Sequence, residues 1–165
     1  MDIPLIKLKA MSKAVIIMGS KGDLEWAQRI SESLTKFDVE SVLYVASAHK
    51  VPLECYNIIK EEEKNNPVFI TIAGMSNALS GFSDAQTHCP VIACPPSSSS
   101  FAGSDIYSSL RMPSGVAPLV ILSPENAALA TAKIFGISNE NIRQKVVEFQ
   151  EKQRQKLKED NASLS

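Results

Sequence analysis

Apolar and polar positions alternate between two periods along this chain. Ala14-Val15-Ile16-Ile17-Met18 is an unbroken apolar run that stops at Gly19, the pattern of a strand buried on both faces. Leu24, Ala27, Ile30 and Leu34 then recur at helical spacing, with Asp23 as a cap or first-turn acid. Ser41 to Ala46 predicts a second strand, and Pro52 opens a helix that runs to a Glu/Lys/Asn exit near Asn66. Val68 to Ala73 predicts a third strand, broken at Gly74, and Ser76 to Gln86 a short helix. Pro90 to Cys94 predicts a fourth strand, followed by a loop rich in Pro and Ser, a short helix over Ser104 to Arg111, and a fifth strand over Leu119 to Leu122. Glu125 to Phe135 is an Ala-rich helix with Pro124 as first residue, Ser123 as cap and Gly136 as stop. In the last stretch, 139–160, Ile142, Val146, Phe149 and Leu157 fall on roughly one face. That makes a long amphipathic helix after the sheet is complete, of a length suited to reaching a neighbouring subunit.

Strand and helix alternating in this way, with strands apolar throughout, predict an α/β fold with about five parallel strands covered on both faces. In such sheets ligands sit beyond the carboxyl ends of the strands, where connections diverge. The chemistry is therefore expected in Gly19 to Asp23, Ser47 to Lys50, Gly74 to Leu79 and Pro95 to Gly103. Residues 1–12 read as an N-terminal extension and 13–165 as a single domain that includes the helix 139–160.

Composition narrows the class. A length of 165 residues suits one domain, and 44% hydrophobic with 21% charged residues excludes a mostly disordered chain. Seventeen Lys and Arg against eighteen Asp and Glu leave a net charge of −1, which removes the electrostatic case for a nucleic-acid partner. The apolar runs are too short to span a bilayer, and the start Met1-Asp2-Ile3-Pro4 lacks the basic flank and apolar core of a secretory signal. Cys55, Cys89 and Cys94 are odd in number, far apart and without a histidine cluster to complete a zinc site. They read as free, buried thiols in a reducing, cytoplasmic setting.

Candidate chemistry lies in the turns. Gly19-Ser20-Lys21-Gly22-Asp23-Leu24 is neither the three-glycine dinucleotide fingerprint nor a P-loop. It fits a capped helix start and a phosphate site equally well. Ser47-Ala48-His49-Lys50 sets one of only two histidines at a strand's carboxyl end beside a cation, which favours proton transfer over a structural role for His49. His88 has no such neighbours and reads as a surface or structural residue. Gly74 to Gly81 can offer backbone N–H groups to a carboxylate; taken alone it reads as a loop and helix cap, with Ser76 or Asn77 capping. No nucleophile triad or metal-ligand cluster is apparent. A phospho-relay receiver is excluded, because Gly19-Ser20 and Ala73-Gly74 stand where its acids belong.

Met18-Gly19-Ser20 with Asp23-Leu24, Ser47-Ala48-His49-Lys50, Ala73-Gly74-Met75-Ser76-Asn77, Cys94-Pro95-Pro96 and the run from Phe101 to Gly115 occur in order, each after a strand. Over roughly residues 13–158 the chain resembles the PurE family of purine biosynthesis. Lys50, the short Gly74 to Gly81 segment and Leu110-Arg111-Met112-Pro113-Ser114-Gly115 are similar to its carboxylase branch; the mutase branch typically has Ser-Ala-His-Arg and a longer segment after the third strand. Met75 departs from that branch, which commonly has Arg there. The resemblance implies a three-layer, flavodoxin/Rossmann-like doubly wound sheet and carboxylation of 5-aminoimidazole ribonucleotide by carbon dioxide, without a cofactor. It implies His49 as the proton-transfer group. It implies Gly19, Ser20, Asp23, Ser47, Ala48, Lys50, Gly74, Ser76 and Asn77 as substrate-binding residues. It also implies a homo-oligomer, an octamer or tetramer, with the terminal helix crossing between subunits. The alternatives are the mutase acting on the N-carboxy isomer, a non-catalytic nucleotide-phosphate binding module, and a flavodoxin-like electron carrier.

Overall fold

The structure, a computed structural model, describes residues 12–96 and 100–164. Residues 1–11 of the expected extension and Ser97 to Ser99 of the expected loop lie outside the described residues. Strands β1 (Lys13–Met18), β2 (Glu40–Val45), β3 (Val68–Ile72), β4 (Val91–Ala93) and β5 (Leu119–Val120) form one parallel sheet in the order β2-β1-β3-β4-β5. The helices are α1 (Leu24–Thr35), α2 (Pro52–Glu62), α3 (Ala78–Asp84), α4 (Tyr107–Leu110), α5 (Pro124–Gly136) and α6 (Glu140–Ala162). This is the three-layer, flavodoxin-like doubly wound sheet expected, with its long terminal helix.

The strand order dictates the layers. From β1 the chain steps one way to β2, then crosses back past β1 to β3 and continues in that direction to β5. Crossovers of one hand must then put the first connection on one face and the later ones on the other. Accordingly, Ala27, Ile30 and Leu34 of α1 share a core with Ala127, Ala128 and Ala132 of α5 and Ile142 and Val146 of α6, against Ile16, Ile70 and Ile92. Cys55 and Ile59 of α2 and Leu79 of α3 pack on the opposite face against Val15, Ile17, Phe69 and Val91. Successive residues of β1 thus feed different cores, which is why its apolar run has no polar interruption. Burying each such isoleucine contributes roughly 1.5–3 kcal/mol.

Boundaries differ from expectation where pairing partners run out. β4 ends at Ala93, just before Cys94-Pro95-Pro96, and β5, preceded by Pro118, pairs only Leu119 and Val120 with Ile92 and Ala93 and is two residues long. The segment expected as one helix over Ser104 to Arg111 is a 3-10 stretch, Ser100–Ile106, followed by the single turn α4. Left-handed backbone at Ala102 (φ 53°) and Gly103 (φ 75°) interrupts α-helical geometry there. Ser123 caps α5, its hydroxyl accepting from the Asn126 N–H at 3.3 Å, with Pro124 as first residue. Gly136 is not an external stop but the buried last residue of α5; a Cβ would lie 3.3 Å from Arg143 Cα, so its absence lets α6 pack close.

α6 is capped by Asn139, whose side chain accepts from the N–H groups of Asn141 and Ile142. Ile142 and Val146 are buried, and Phe149 meets Phe37 edge-on at 5.4 Å. Every residue from Glu151 to Ala162 is exposed, and Leu157 is 69% accessible. The three cysteines are free and buried, and burial pushes the Cys55 and Cys94 thiols up to about 11. Among the described residues no helix is long and apolar enough to cross a membrane.

Candidate active site

Register decides what meets at the carboxyl edge of the sheet. Met18 pairs with Val45 on one side and Ile72 on the other. The pairing continues one residue further, the Ala46 N–H donating to Met18 O (2.9 Å) and the Gly19 N–H to Ile72 O (2.8 Å). Neighbouring strands lie roughly 4.8 Å apart, so the turns after β1, β2 and β3 leave the same edge side by side. The connections diverge between β1 and β3, which is where a doubly wound sheet opens its crevice.

The turn after β1 is closed by its own polar groups. Ser20 is in extended backbone and caps a 3-10 turn, Lys21–Asp23, that leads directly into α1. Its hydroxyl accepts from the Gly22 N–H, while the Asp23 carboxylate accepts from the Ser20 N–H and hydroxyl, each at 3.2 Å. An incoming anion finds these donors already turned to a negative charge at the start of a helix. The readings as helix cap and as anion-receptive turn therefore describe the same atoms.

In the turn after β2, Ser47 accepts through its hydroxyl from the Lys50 N–H (3.3 Å) and through its carbonyl from the Val51 N–H (2.9 Å). Val51 precedes Pro52, the first residue of α2. Ser47 and Ala48 are half-buried, which fixes the turn, and His49 and Lys50 project from it exposed. No hydrogen bond or ion pair engages the His49 imidazole among the described residues.

The turn after β3 has a different construction. Gly74 is half-buried and Ser76 exposed, and Met75 between them is left-handed (φ 56°) and 74% accessible. Asn77 is buried and fully engaged. Its Oδ1 accepts from the Ser80 N–H (3.2 Å) to cap α3, its Nδ2 donates to Ser109 Oγ (2.9 Å), and its N–H donates to Ser108 Oγ (3.0 Å). Asn77 thus ties this turn to α4, and the backbone N–H groups left for a ligand are those nearer Gly74.

Beside this turn is a cavity of about 230 Å³ lined by Ala73, Gly74, Met75, Pro95, Pro96, Gly103, Asp105, Ile106, Ser109 and Leu122. Its walls are mostly apolar, with one carboxylate and one hydroxyl. Neither the Gly19 to Asp23 turn nor His49 lines it. The edge thus combines a polar region over β1 and β2 with an apolar recess over β3 to β5, adjoining at Gly74. Asp105, Ser109 and Leu122 are not among the site residues expected from the sequence. Asp105 and Ser109 belong to the run Phe101 to Gly115, but no spacing signal marks a helix residue as facing a cavity. Among the described residues no group of three or more His, Cys, Asp or Glu is gathered as a metal site.

Comparison with known proteins agrees with this architecture. The profile of the AIR carboxylase family matches residues 13–156. A phosphoribosylaminoimidazole carboxylase of Archaeoglobus fulgidus is 57% identical over 145 residues, 88% of this chain and 81% of that protein. One from Treponema denticola is 46% identical over 152 residues, covering 91% and 96% respectively. The crystal structure of Treponema denticola PurE superposes with a TM-score of 0.91 at 44% identity, covering 93% of this chain and 99% of that one. With the family's profile spanning nearly all the described residues and its fold reproduced, this chain belongs to the AIR carboxylase family.

Proposed function

We propose that this chain carboxylates 5-aminoimidazole ribonucleotide at ring C4 with carbon dioxide, reversibly, giving 4-carboxy-5-aminoimidazole ribonucleotide for purine synthesis. The observation that carries the reading is the convergence of three turns on one sheet edge, which has an unengaged imidazole and a cation over β2 and an apolar recess over β3 to β5.

The 5′-phosphate binds the Gly19 to Asp23 turn, receiving hydrogen bonds from Ser20 and an ion pair from Lys50, with Ser47 and Ala48 forming the adjoining wall. As phosphate replaces its carboxylate on the Ser20 donors, Asp23 becomes free to accept from the ribose hydroxyls. The amino group makes C4 an enamine carbon, and its electron pair attacks carbon dioxide to form the new C–C bond. The tetrahedral C4 then loses its proton to His49, and the C–H electrons restore the aromatic ring. In decarboxylation His49 returns that proton. Backbone N–H groups at Gly74, with the Ser76 hydroxyl, hold the nascent carboxylate. Carbon dioxide offers few handles, so the recess contributes proximity and exclusion of water. Asn77 acts by holding the Gly74 turn to α4.

The exposed outer half of α6 supports packing against another copy in a homo-octamer or tetramer. The buried free thiols suit a cytoplasmic setting. His49→Ala is expected to abolish turnover while nucleotide binding measured by calorimetry stays within about twofold, because the phosphate contacts remain. Normal turnover in that variant removes His49 from the reaction, whereas nucleotide binding without turnover in the unaltered protein makes the chain a binding module.

A further inference from the structure

Two prolines in succession create a mechanical problem beside the recess. Pro95 and Pro96 form part of its wall, yet neither has an N–H with which to hold the chain after β4. The last carbonyl before them, that of the fully buried Cys94, accepts from the indole Nε1 of Trp26 at 3.1 Å. Trp26 lies three residues beyond Asp23, in the first turn of α1. The Arg29 guanidinium stacks on its ring, 5.0 Å from the centroid. Arg29 also binds Glu125 Oε1 at 2.8 Å, and the other carboxylate oxygen of Glu125 accepts from the Ser123 hydroxyl at 2.8 Å. Ser123 follows Leu122, another residue of the wall.

We infer that Trp26, backed by Arg29 and Glu125, is a positioning brace that fixes the distance between the nucleotide-holding turn and the carbon dioxide recess. The inference rests on the reading proposed above. One end of the brace is the helix that begins at Ser20 and Asp23; the other grips both β4 and the β5–α5 junction. A nucleotide held by its phosphate therefore presents C4 to a recess whose wall is referenced to the same helix. Removing the indole donor leaves a buried carbonyl unpartnered and lets the wall drift, with no direct effect on phosphate contacts.

The test is Trp26→Phe in the full chain, which keeps an aromatic ring and removes the donor. The KM for carbon dioxide is expected to rise about fivefold, as for loss of one buried hydrogen bond, with the nucleotide KM within about twofold. Hydrogen exchange at the Cys94 and Ile121 amides, which bond to Thr71 O and Ala93 O, is expected to quicken relative to that at Ile142 and Val146. Equal changes in both KM values, or none, overturn the brace even if the enzyme is active. If the unaltered chain does not carboxylate the nucleotide, the functional reading fails separately. Exchange then decides the brace: faster exchange at Cys94 and Ile121 upholds it, and unchanged rates overturn it. Should Trp26→Phe fail to fold, Glu125→Gln, which weakens the Arg29 grip, is subject to the same two readouts with a smaller shift.

Discussion

The turns over β1 and β2 carry their polar groups at the surface, whereas the exits of β3, β4 and β5 surround a recess with prolines, small residues and aliphatic side chains. In the first region Ser20, Asp23, Ser47 and Lys50 bond to one another's side chains or backbone, so a ligand exchanges partners with groups already oriented. In the second, Asn77, Ser108 and Ser109 are committed to holding the walls together. The contrast suits the two substrates of the proposed reaction, which are opposite in character. One is a charged nucleotide that can be gripped, the other a small neutral molecule that can only be surrounded. It also assigns different consequences to damage on each side.

The largest effect is expected in the polar region, at the imidazole after β2. His49→Gln should depress carboxylation and the reverse decarboxylation alike, by about a thousandfold, since one proton position serves both directions; loss in one direction alone breaks the comparison. Lys50→Ala should raise the nucleotide KM about thirtyfold through loss of a charge-assisted contact, leaving the carbon dioxide KM unchanged in steady-state kinetics. Asn77→Ala should instead lower stability by about 1.5 kcal/mol in denaturant titration, because α3 loses its cap and Ser109 a buried partner.

The smallest expected effect is at the sheet's far margin. Glu62 is buried between Lys13 and Tyr44, each at 2.6 Å. Burial pushes its carboxyl up, but the Lys13 and Tyr44 hydrogen bonds outweigh that and hold it below the ordinary 4.5. A carboxyl lowered by folding contributes stability that is complete above its unfolded pKa and lost as pH falls through the folded one. The Tm deficit of Glu62→Gln should therefore be largest near neutrality and shrink in acid below pH 4.5. A deficit that grows in acid reverses the sign. Glu125, held at about 2 chiefly by Arg29, is half-exposed, and its share of acid stability is correspondingly screened.

Much of this architecture is legible in the chain because β1 and β3 are apolar throughout and Ser123-Pro124, Pro52 and Asn139 are unambiguous helix starts. The same logic located the turns, since a parallel sheet must display its chemistry beyond strand ends. It did not anticipate the two-residue β5, whose length depends on where a different strand stops, nor Gly136, which serves a neighbour seven residues on. Trp26 carries no mark of its role in the sequence. Its partner is 68 residues away, and neither hydropathy nor periodicity signals a hydrogen bond to a distant backbone carbonyl. The cavity is illegible in the sequence for a related reason, as its lining is collected from segments after three different strands.

In the proposed reaction carbon dioxide itself, captured beside Gly74, is the carbon donor. The direct measurement supplies purified protein with aminoimidazole ribonucleotide and dissolved carbon dioxide in one vessel and with the N-carboxy isomer in another, following the 4-carboxy product in each. Efficient product formation is expected in the first vessel, saturating with carbon dioxide. Product formed efficiently from the N-carboxy isomer alone would contradict it and identify the chain as a mutase.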